Sequence, residues 1–476
     1  MANSDIPSYL ASAKPNSLSS RAPWYTNTAQ SYAGIFLWIA FFDQLAGADA
    51  PGALSMAGLG VCLLGLVVAG LLAMFLFYYV PGLLGMKTGL PLYIVGTSTF
   101  GTKGGYFIPG IFMGLLQIGW YSVATYYAAG LVLKGIGLNE YATSLYGEGG
   151  SFSIVFVITA IIWGYLFALI GALGIEYVAK VATFFPIVPI VMLIIVAAAA
   201  APAVGDYQPA GDAKLPGFLL IIQLVIGFFA TAGAVGADFC SNNRNENDVR
   251  WGGIVGIWIP VVFAGGLALI TVAGAHGREA EVTDFTFTAA LPVVSPTLGR
   301  VMLVLFAIGS IAPACFCSFI IGNSLSTMLG SEKTRVPLTL GGATIGIILA
   351  SLGVAGNLEA FFGLIGASFG PVIGAMIADY LRSGRKWPGP RAGISVPGYV
   401  AWALGFGVGI LGHPWVAVLP GWQITSVYSL FVGFIVYYAL AQLGLEPTRV
   451  EMPSLQPAAE TAGGKESAGA TEETGP

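Results

Sequence analysis

Long apolar runs separated by short polar stretches dominate the chain from residue 31 to residue 445. A helix rises about 1.5 Å per residue, so about 20 consecutive apolar residues cover the roughly 30 Å hydrocarbon core of a bilayer. Runs of that order fall near 31–49, 57–85, 105–133, 152–174, 177–201 and 216–239, and again near 251–273, 299–329, 336–355, 358–381, 396–413 and 421–443. The pattern predicts an all-α integral membrane domain of twelve transmembrane helices over 31–445. A polar amino-terminal segment, 1–30, precedes it. The stretch 446–476, rich in Ala, Gly, Glu, Thr and Pro, predicts a disordered acidic tail.

Two of these runs carry the marks of a helix that breaks. Leu224 to Phe239 reads LVIGFFATAGAVGADF, with Gly227, Gly233 and Gly236 followed by Asp238. The first run leads into AGADAPGA, Ala46 to Ala53, where Pro51 interrupts a row of small residues beside the acids Asp43 and Asp49. Either feature alone is equally well explained by small residues that let helices pack closely. Together they occupy corresponding places in two halves. Unwound backbone at membrane depth persists only where it is buried in protein or lines a watery cavity, and paired interruptions of this kind point to an inverted repeat with a site between its halves. Spans one and six of a five-plus-five arrangement would then hold the site, with the last two spans outside the repeat.

Composition sharpens this picture. The chain is 56% hydrophobic and 9% charged, with mean hydropathy +0.82, whereas a soluble domain is about a quarter charged. The net charge of −4 leaves no basic patch for nucleic acid. With the amino terminus inside, 15 of the 19 Lys and Arg fall on cytoplasmic loops and only Lys134, Lys214, Arg278 and Arg300 fall outside. Cytoplasmic loops carry that excess, so both termini are expected in the cytoplasm of a multi-pass cell-membrane protein. Cys62, Cys240, Cys315 and Cys317 lie in or beside apolar runs, without zinc spacing or a disulfide framework. His276 and His413 are the only histidines, and no nucleophile or metal motif accompanies them, which argues against an enzyme and calls for no cofactor. No signal peptide is visible in the first thirty residues. The chain is read as a monomer in the lipid bilayer.

Ionisable groups inside a membrane usually face a cavity or a partner. Asp43, with its neighbour Gln44, is the first such candidate. Asp238 lies near a helix end, where capping or pairing with Arg244 explains it equally well, and Asp379 sits beside a basic loop as an interfacial ion pair. Glu359 follows a helix start at Asn357 and suits a first-turn acid. Gln117 and Trp120 are three residues apart and so share a helix face. An amide that donates and accepts, beside a flat indole, suits a planar heterocycle, although ordinary packing accounts for many such tryptophans. Phe228 and Phe229 could supply an opposing ring. Ala314, Cys317 and Ser318, with Asn323 further on, form a small polar cluster able to ligate a hard cation or simply to allow close packing.

Three stretches bring a family into view. GMKTGLPLYIVGTSTFGTKGGYFIPGIFMGLLQIGWYS (Gly85 to Ser122), VIGFFATAGAVGADFCSNNRN (Val225 to Asn245) and ASFGPVIGAMIADYLRSGRKW (Ala367 to Trp387) resemble the second-to-third, sixth and tenth spans of the nucleobase-cation-symport-1 family, the cytosine and hydantoin permeases. The resemblance implies the inverted-repeat fold of the bacterial leucine transporter and cation-coupled uptake of a nucleobase or related heterocycle, such as cytosine or a purine. It also implies that Trp120 and Phe229 sandwich the flat base while Gln117 and Asn323 read its edge. Backbone oxygens near Trp38 and Phe41, with Ala314, Cys317 and Ser318, would form the sodium site. Two positions depart from the family pattern. Cys317 stands where a hydroxyl is usual, and a thiol is a poor ligand for sodium, so Asp43 is the alternative carrier if the coupling ion is a proton. Ala237 replaces the proline before Asp238. A same-fold transporter for another small solute, such as an amino acid, is the competing reading; a channel would show flux without saturation.

Overall fold

The computed structural model describes residues 6–47, 52–142, 153–174, 177, 187–279, 281–329, 332–419 and 421–452. The helices that matter here are α1 (Thr28–Phe36), α2 (Ile39–Phe42), α3 (Leu59–Thr88), α4 (Tyr106–Gly135), α5 (Ile154–Leu173), α6 (Ile187–Asp206), α7 (Lys214–Ala234) and α8 (Gly236–Cys240). They continue as α9 (Glu246–Arg278), α10 (Phe287–Val294), α11 (Pro296–Gly309), α12 (Ile311–Met328), α13 (Arg335–Ser351), α14 (Leu358–Arg382), α15 (Val396–Gly409) and α16 (Thr425–Gln442). Among the described residues the only extended pairings are two isolated bridges, Ala22 with Asn243 and Arg391 with Arg449. Among the described residues nine stretches are long and apolar enough to cross a membrane; α13 and α15 are shorter apolar helices.

The first apolar run does break, and its first interruption comes before the predicted one. α1 ends at Phe36, Trp38 takes an extended backbone (φ −76°, ψ 133°), and α2 restarts at Ile39. This interruption precedes Ala46–Ala53; the helix ends again at Phe42 and the next begins at Ala53, while residues 48–51, with Asp49 and Pro51, lie outside the described residues. No glycine or proline marks Leu37 or Trp38. Side-chain packing accounts for the position, since the extended turn sets the Trp38 ring 5.9 Å from Trp120 and 6.2 Å from Phe228.

The sixth run also breaks, inside the predicted stretch Leu224–Phe239 and beside Gly236. α7 passes unbroken through Gly227 and Gly233, and the helix is interrupted at Val235 (ψ 5°) before α8. A Cβ on Gly227 would lie 2.7 Å from the Phe362 carbonyl oxygen, and one on Gly233 would lie 2.9 Å from that of Phe77. Both glycines let neighbouring backbones approach closely, the role small residues commonly have in membrane helices.

Packing separates two groups of helices. α3 contacts α7 and α9, and α9 contacts α1; α4, α5, α12 and α13 all contact one another. α14 packs along α7, α15 and α16. The two interruptions in α1–α2 and α7–α8 face the space between the groups.

The predicted cytoplasmic segments meet at one end of the molecule. Tyr9 donates to the Thr102 carbonyl (2.6 Å), Arg21 to that of Met86, and the Ala22 amide to Asn242 (2.7 Å). The amino-terminal segment is thus folded onto the loops, with Tyr9 and Leu10 buried. The expected tail also begins as ordered chain, because Ala392 N–H meets Thr448 O (2.9 Å) and Val450 N–H meets Pro390 O (2.8 Å). Residues 453–476 of that tail lie outside the described residues.

At the centre of this end, Asp379 finds its ion-pair partner in Arg391 (2.8 Å) and accepts from Ser98 (2.6 Å) and Thr99 (3.2 Å). Arg391 also holds Glu446 (2.9 Å), which accepts from Tyr437 (3.0 Å). Arg244 pairs with Asp248 (2.9 Å), and Asp238 instead accepts the Leu92 amide (3.1 Å). Asn357 caps α14 through the Ala360 amide (3.0 Å), with Glu359 in the first turn.

The Asp379 and Arg391 side chains are only 2% and 3% exposed, so removing one strands the other away from water. Arg391→Ala is expected to lower stability by about 3–5 kcal/mol. Lys214→Ala, which breaks a pair that is 69% and 86% exposed, should cost less than about 1 kcal/mol. Unfolding of the detergent-purified variants, followed by intrinsic fluorescence, measures both.

Candidate functional site

A cavity of about 120 Å³ lies between the two helix groups, many times the roughly 10–15 Å³ that one water requires. Gln30, Ser31, Gly34 and Ile35 of α1 line it, as do Trp38 at the first interruption, Gln117 and Trp120 of α4, and Phe228, Thr231, Ala232 and Val235 of α7. Phe239 of α8 and Ala312, Pro313, Phe316 and Cys317 of α12 complete the wall. The register follows helical spacing: 228, 231, 232 and 235 are i, i+3, i+4 and i+7, and 313, 316 and 317 are i, i+3 and i+4. Gln30 is exposed at the mouth and Trp38 is buried, so the cavity opens toward the amino-terminal end of α1.

Aromatic rings close its inner end. Trp120 meets Phe228 edge-on (5.2 Å, 80°) and Phe361 edge-on (5.0 Å, 83°), with Phe362 tilted beside it (5.7 Å). The Trp120 indole N–H donates to the Thr231 hydroxyl (3.0 Å), which ties the ring to α7. Gln117 is buried, and its amide nitrogen touches only the Met113 sulfur (3.5 Å), a weak acceptor that leaves the amide capacity to spare. The lining carries no charged side chain. A ring entering from the α1 side would meet flat apolar faces and a few uncharged polar groups, the usual make-up of a small-molecule pocket.

Several residues singled out from the sequence stand elsewhere. Phe229 is fully buried on another face of α7, where it stacks on Phe36 (5.5 Å, 19°), so it does not sandwich anything with Trp120; Phe228 is the ring at the cavity. A one-residue step on a helix turns the side chain by about 100°, enough to move it off the wall. Asn323 and Gln44 do not line the cavity.

Of the five residues of the expected cation cluster, two stand in the cavity wall. Trp38 and Cys317 reach the cavity; Phe41, Ala314 and Ser318 do not. Ser318 spends its hydroxyl on the carbonyls of Cys315 (2.9 Å) and of Phe167 in α5 (3.3 Å). The Trp38 carbonyl already accepts the Phe41 amide (2.9 Å).

Asp43 lies beyond the aromatic end and is 4% exposed. Its carboxylate accepts the Thr288 amide of α10 (2.9 Å) and the Tyr127 hydroxyl of α4 (3.1 Å), and its carbonyl accepts the Phe287 amide (2.8 Å). Asp43 therefore ties α10 and α4 to the end of α2, on the side away from the mouth. Thr231 and Pro313 were not singled out beforehand. Thr231 lies three residues after Phe228, a spacing that could have marked it.

A family model for permeases of cytosine/purines, uracil, thiamine and allantoin matches residues 52–388. The chain belongs to this family. The cytosine permease of Escherichia coli K12 is 26% identical over 345 residues, covering 68% of this chain and 70% of that protein. The putative allantoin permease of the same strain is 24% identical over 410 residues, covering 78% and 82%. Mhp1, a nucleobase-cation-symport-1 family transporter solved closed with bromovinylhydantoin bound, superposes with TM-score 0.67 at 15% identity, covering 90% of this chain and 94% of that one. The protein is a multi-pass membrane transporter rather than an enzyme, and its fold is that of Mhp1.

Replacing Thr231 by Val keeps its shape but removes the acceptor of a buried indole N–H. Thr231→Val is expected to cost about 1–3 kcal/mol of stability, and Thr231→Ser, which keeps the hydroxyl and loses one buried methyl, about 0.8 kcal/mol. A Thr231→Val protein with the wild-type melting point in detergent would contradict the bond.

Proposed function

We propose that this protein is a secondary active transporter that couples a cation, sodium or a proton, to uptake of a nucleobase or related planar heterocycle. The observation that carries the reading is the uncharged cavity between the two helix groups, walled by both interruptions and closed by Trp120 and Phe228. Aromatic faces accept a flat ring of any base, and polar edge contacts then choose among them. Trp120 and Phe228 hold the ring, while Gln117 and Thr231 bond its edge. Relatives named for cytosine and allantoin support this substrate class.

The reading includes twelve spans in a five-plus-five inverted repeat with both termini cytoplasmic, which the distribution of Lys and Arg supports. The mouth beside Gln30 then faces the cytoplasm, and Asp43 with α10 closes the opposite side. An amino-acid substrate is less well matched, because no charged side chain in the lining meets either of its ionic ends.

A ligand that favours the folded state raises its melting point. Thermal shifts of the detergent-purified protein with cytosine, uracil, adenine, hydantoin and allantoin, in sodium or in choline, test substrate and ion together. At least one ring compound should stabilise, and Trp120→Ala should abolish the shift. Stabilisation that needs sodium assigns that ion; stabilisation indifferent to sodium but dependent on pH assigns the proton. Stabilisation by amino acids and by none of the rings would overturn the substrate class.

A further inference from the structure

α10 takes part of its cap from another element. The first amides of a helix have no partner within it and need one from elsewhere. Thr286 serves the Ala289 amide (3.3 Å), but the two amides before it are served by Asp43, whose carbonyl accepts from Phe287 (2.8 Å) and whose carboxylate accepts from Thr288 (2.9 Å). Phe287 and Thr288 are both buried. The Phe42 ring meets Phe287 edge-on (5.1 Å, 83°), and at the far end of α10 the Val294 carbonyl accepts from Arg278 of α9 (2.6 Å). α10 is thus tied to α9 where it ends and to the last turn of α2 where it begins.

A further bond to the Asp43 carboxylate comes from across the molecule, where Tyr127 of α4 donates its hydroxyl (3.1 Å). Tyr127 follows Trp120 by two helical turns, so both stand on one face of α4, about 10 Å apart along its axis. Asp43 likewise follows Trp38 by the single turn of α2. Both stretches run away from the mouth, from Gln30 through Trp38 to Asp43 and from Gln117 through Trp120 to Tyr127. α2 and α4 are therefore joined beyond the aromatic end of the cavity, at the carboxylate that also caps α10. Parting this contact in a dry site would strand two amides, a hydroxyl and a carboxylate, so it parts only as water reaches it from the far face.

We infer that Tyr127 and Asp43 form a latch that holds α10 over the far end of the cavity, and that the cavity is exposed to that face only when the latch parts. The inference rests on the carrier part of the proposed function, which requires exposure to one side at a time. Tyr127 is a positioning residue, since it meets Asp43 and does not line the cavity.

The experiment follows a single thiol in the cavity wall. Ala232 lines the cavity, so Ala232→Cys, placed in the full chain with Cys62, Cys240, Cys315 and Cys317 replaced by alanine, reports access to it. A membrane-impermeant methanethiosulfonate is applied to right-side-out and to inside-out vesicles. The reporter protein should label about tenfold or more faster from the face of the mouth than from the opposite face, a ratio of the size that a hydrogen bond to a charged group sustains. Adding Tyr127→Phe, which deletes the hydroxyl and keeps the ring, should speed labelling from the opposite face about tenfold, and Asp43→Ala should do so at least as strongly. Tyr121→Phe, which deletes a buried hydroxyl bonded to the Gly164 carbonyl of α5 within one helix group, should leave that rate unchanged. An unchanged rate in Tyr127→Phe overturns the inference, and so does an equal gain in Tyr121→Phe. Equal labelling of the reporter protein from both faces overturns it even if neither latch variant folds. Labelling needs no ligand, so these outcomes bear on the latch alone, whereas absence of thermal shifts with every ring compound overturns the proposed substrate class and leaves the latch standing.

Discussion

A backbone amide in hydrocarbon has no water to turn to, and this one constraint organises the molecule. Helices satisfy their own amides, so the chain crosses the apolar region as helices and can depart from them only inside protein or beside a cavity. The two departures described here, at Leu37–Trp38 and at Val235, are both placed that way. Each sits between packed groups of helices, and each contributes a side chain to the same wall. The cavity is thus a consequence of where the backbone is permitted to unwind.

The two ends of the molecule solve opposite problems. At the end where residues 446–452 pack, loops are laced together by Asp379, Arg391 and Glu446, charges held away from water by pairing with one another. Such a network contributes fixed geometry more than net stabilisation, since desolvation offsets much of the Coulomb gain. At the other end Asp43, with no cationic partner in contact among the described residues, instead collects donors from α4 and α10. These are hydrogen bonds between separate elements, of the kind that can be made and broken as a whole. The mouth at α1 is open while that contact is made, an arrangement suited to a carrier that exposes one side at a time.

Ring packing connects the two. Trp120 touches Trp38, Phe228 and Phe361, and Phe228 touches Phe362, so helices from different parts of the chain meet through aromatic faces and edges. Edge-to-face contacts leave ring surface available, and the hydrogen bond from Trp120 to Thr231 keeps one of those rings at a fixed angle. The proposed recognition of a planar substrate uses the same surfaces that hold the helices together.

Much of this was legible in the amino-acid sequence, and the part that was not has a single cause. Hydropathy alone determined the helical membrane class, the approximate spans and the scarcity of charge inside them, because transfer of apolar residues into lipid depends on composition and length rather than on neighbours. The stretches 85–122, 225–245 and 367–387 carried the family, and the family model agrees. Gln117 and Trp120 were found because a three-residue spacing places them on one face, whatever that face meets. Which face of a helix meets the cavity was decided only in three dimensions. A helix surrounded by protein and lipid is apolar all round, so its sequence carries no amphipathic stripe to orient it. That is why Phe228 rather than Phe229, and Cys317 without Ser318, reached the wall. The break at Trp38 likewise has no local signal, being set by the rings it packs against, while the glycines that suggested a break in α7 serve contacts with Phe362 and Phe77. Composition determined what this chain is dissolved in; only the packing of one helix on another decided which of its side chains face the space between them.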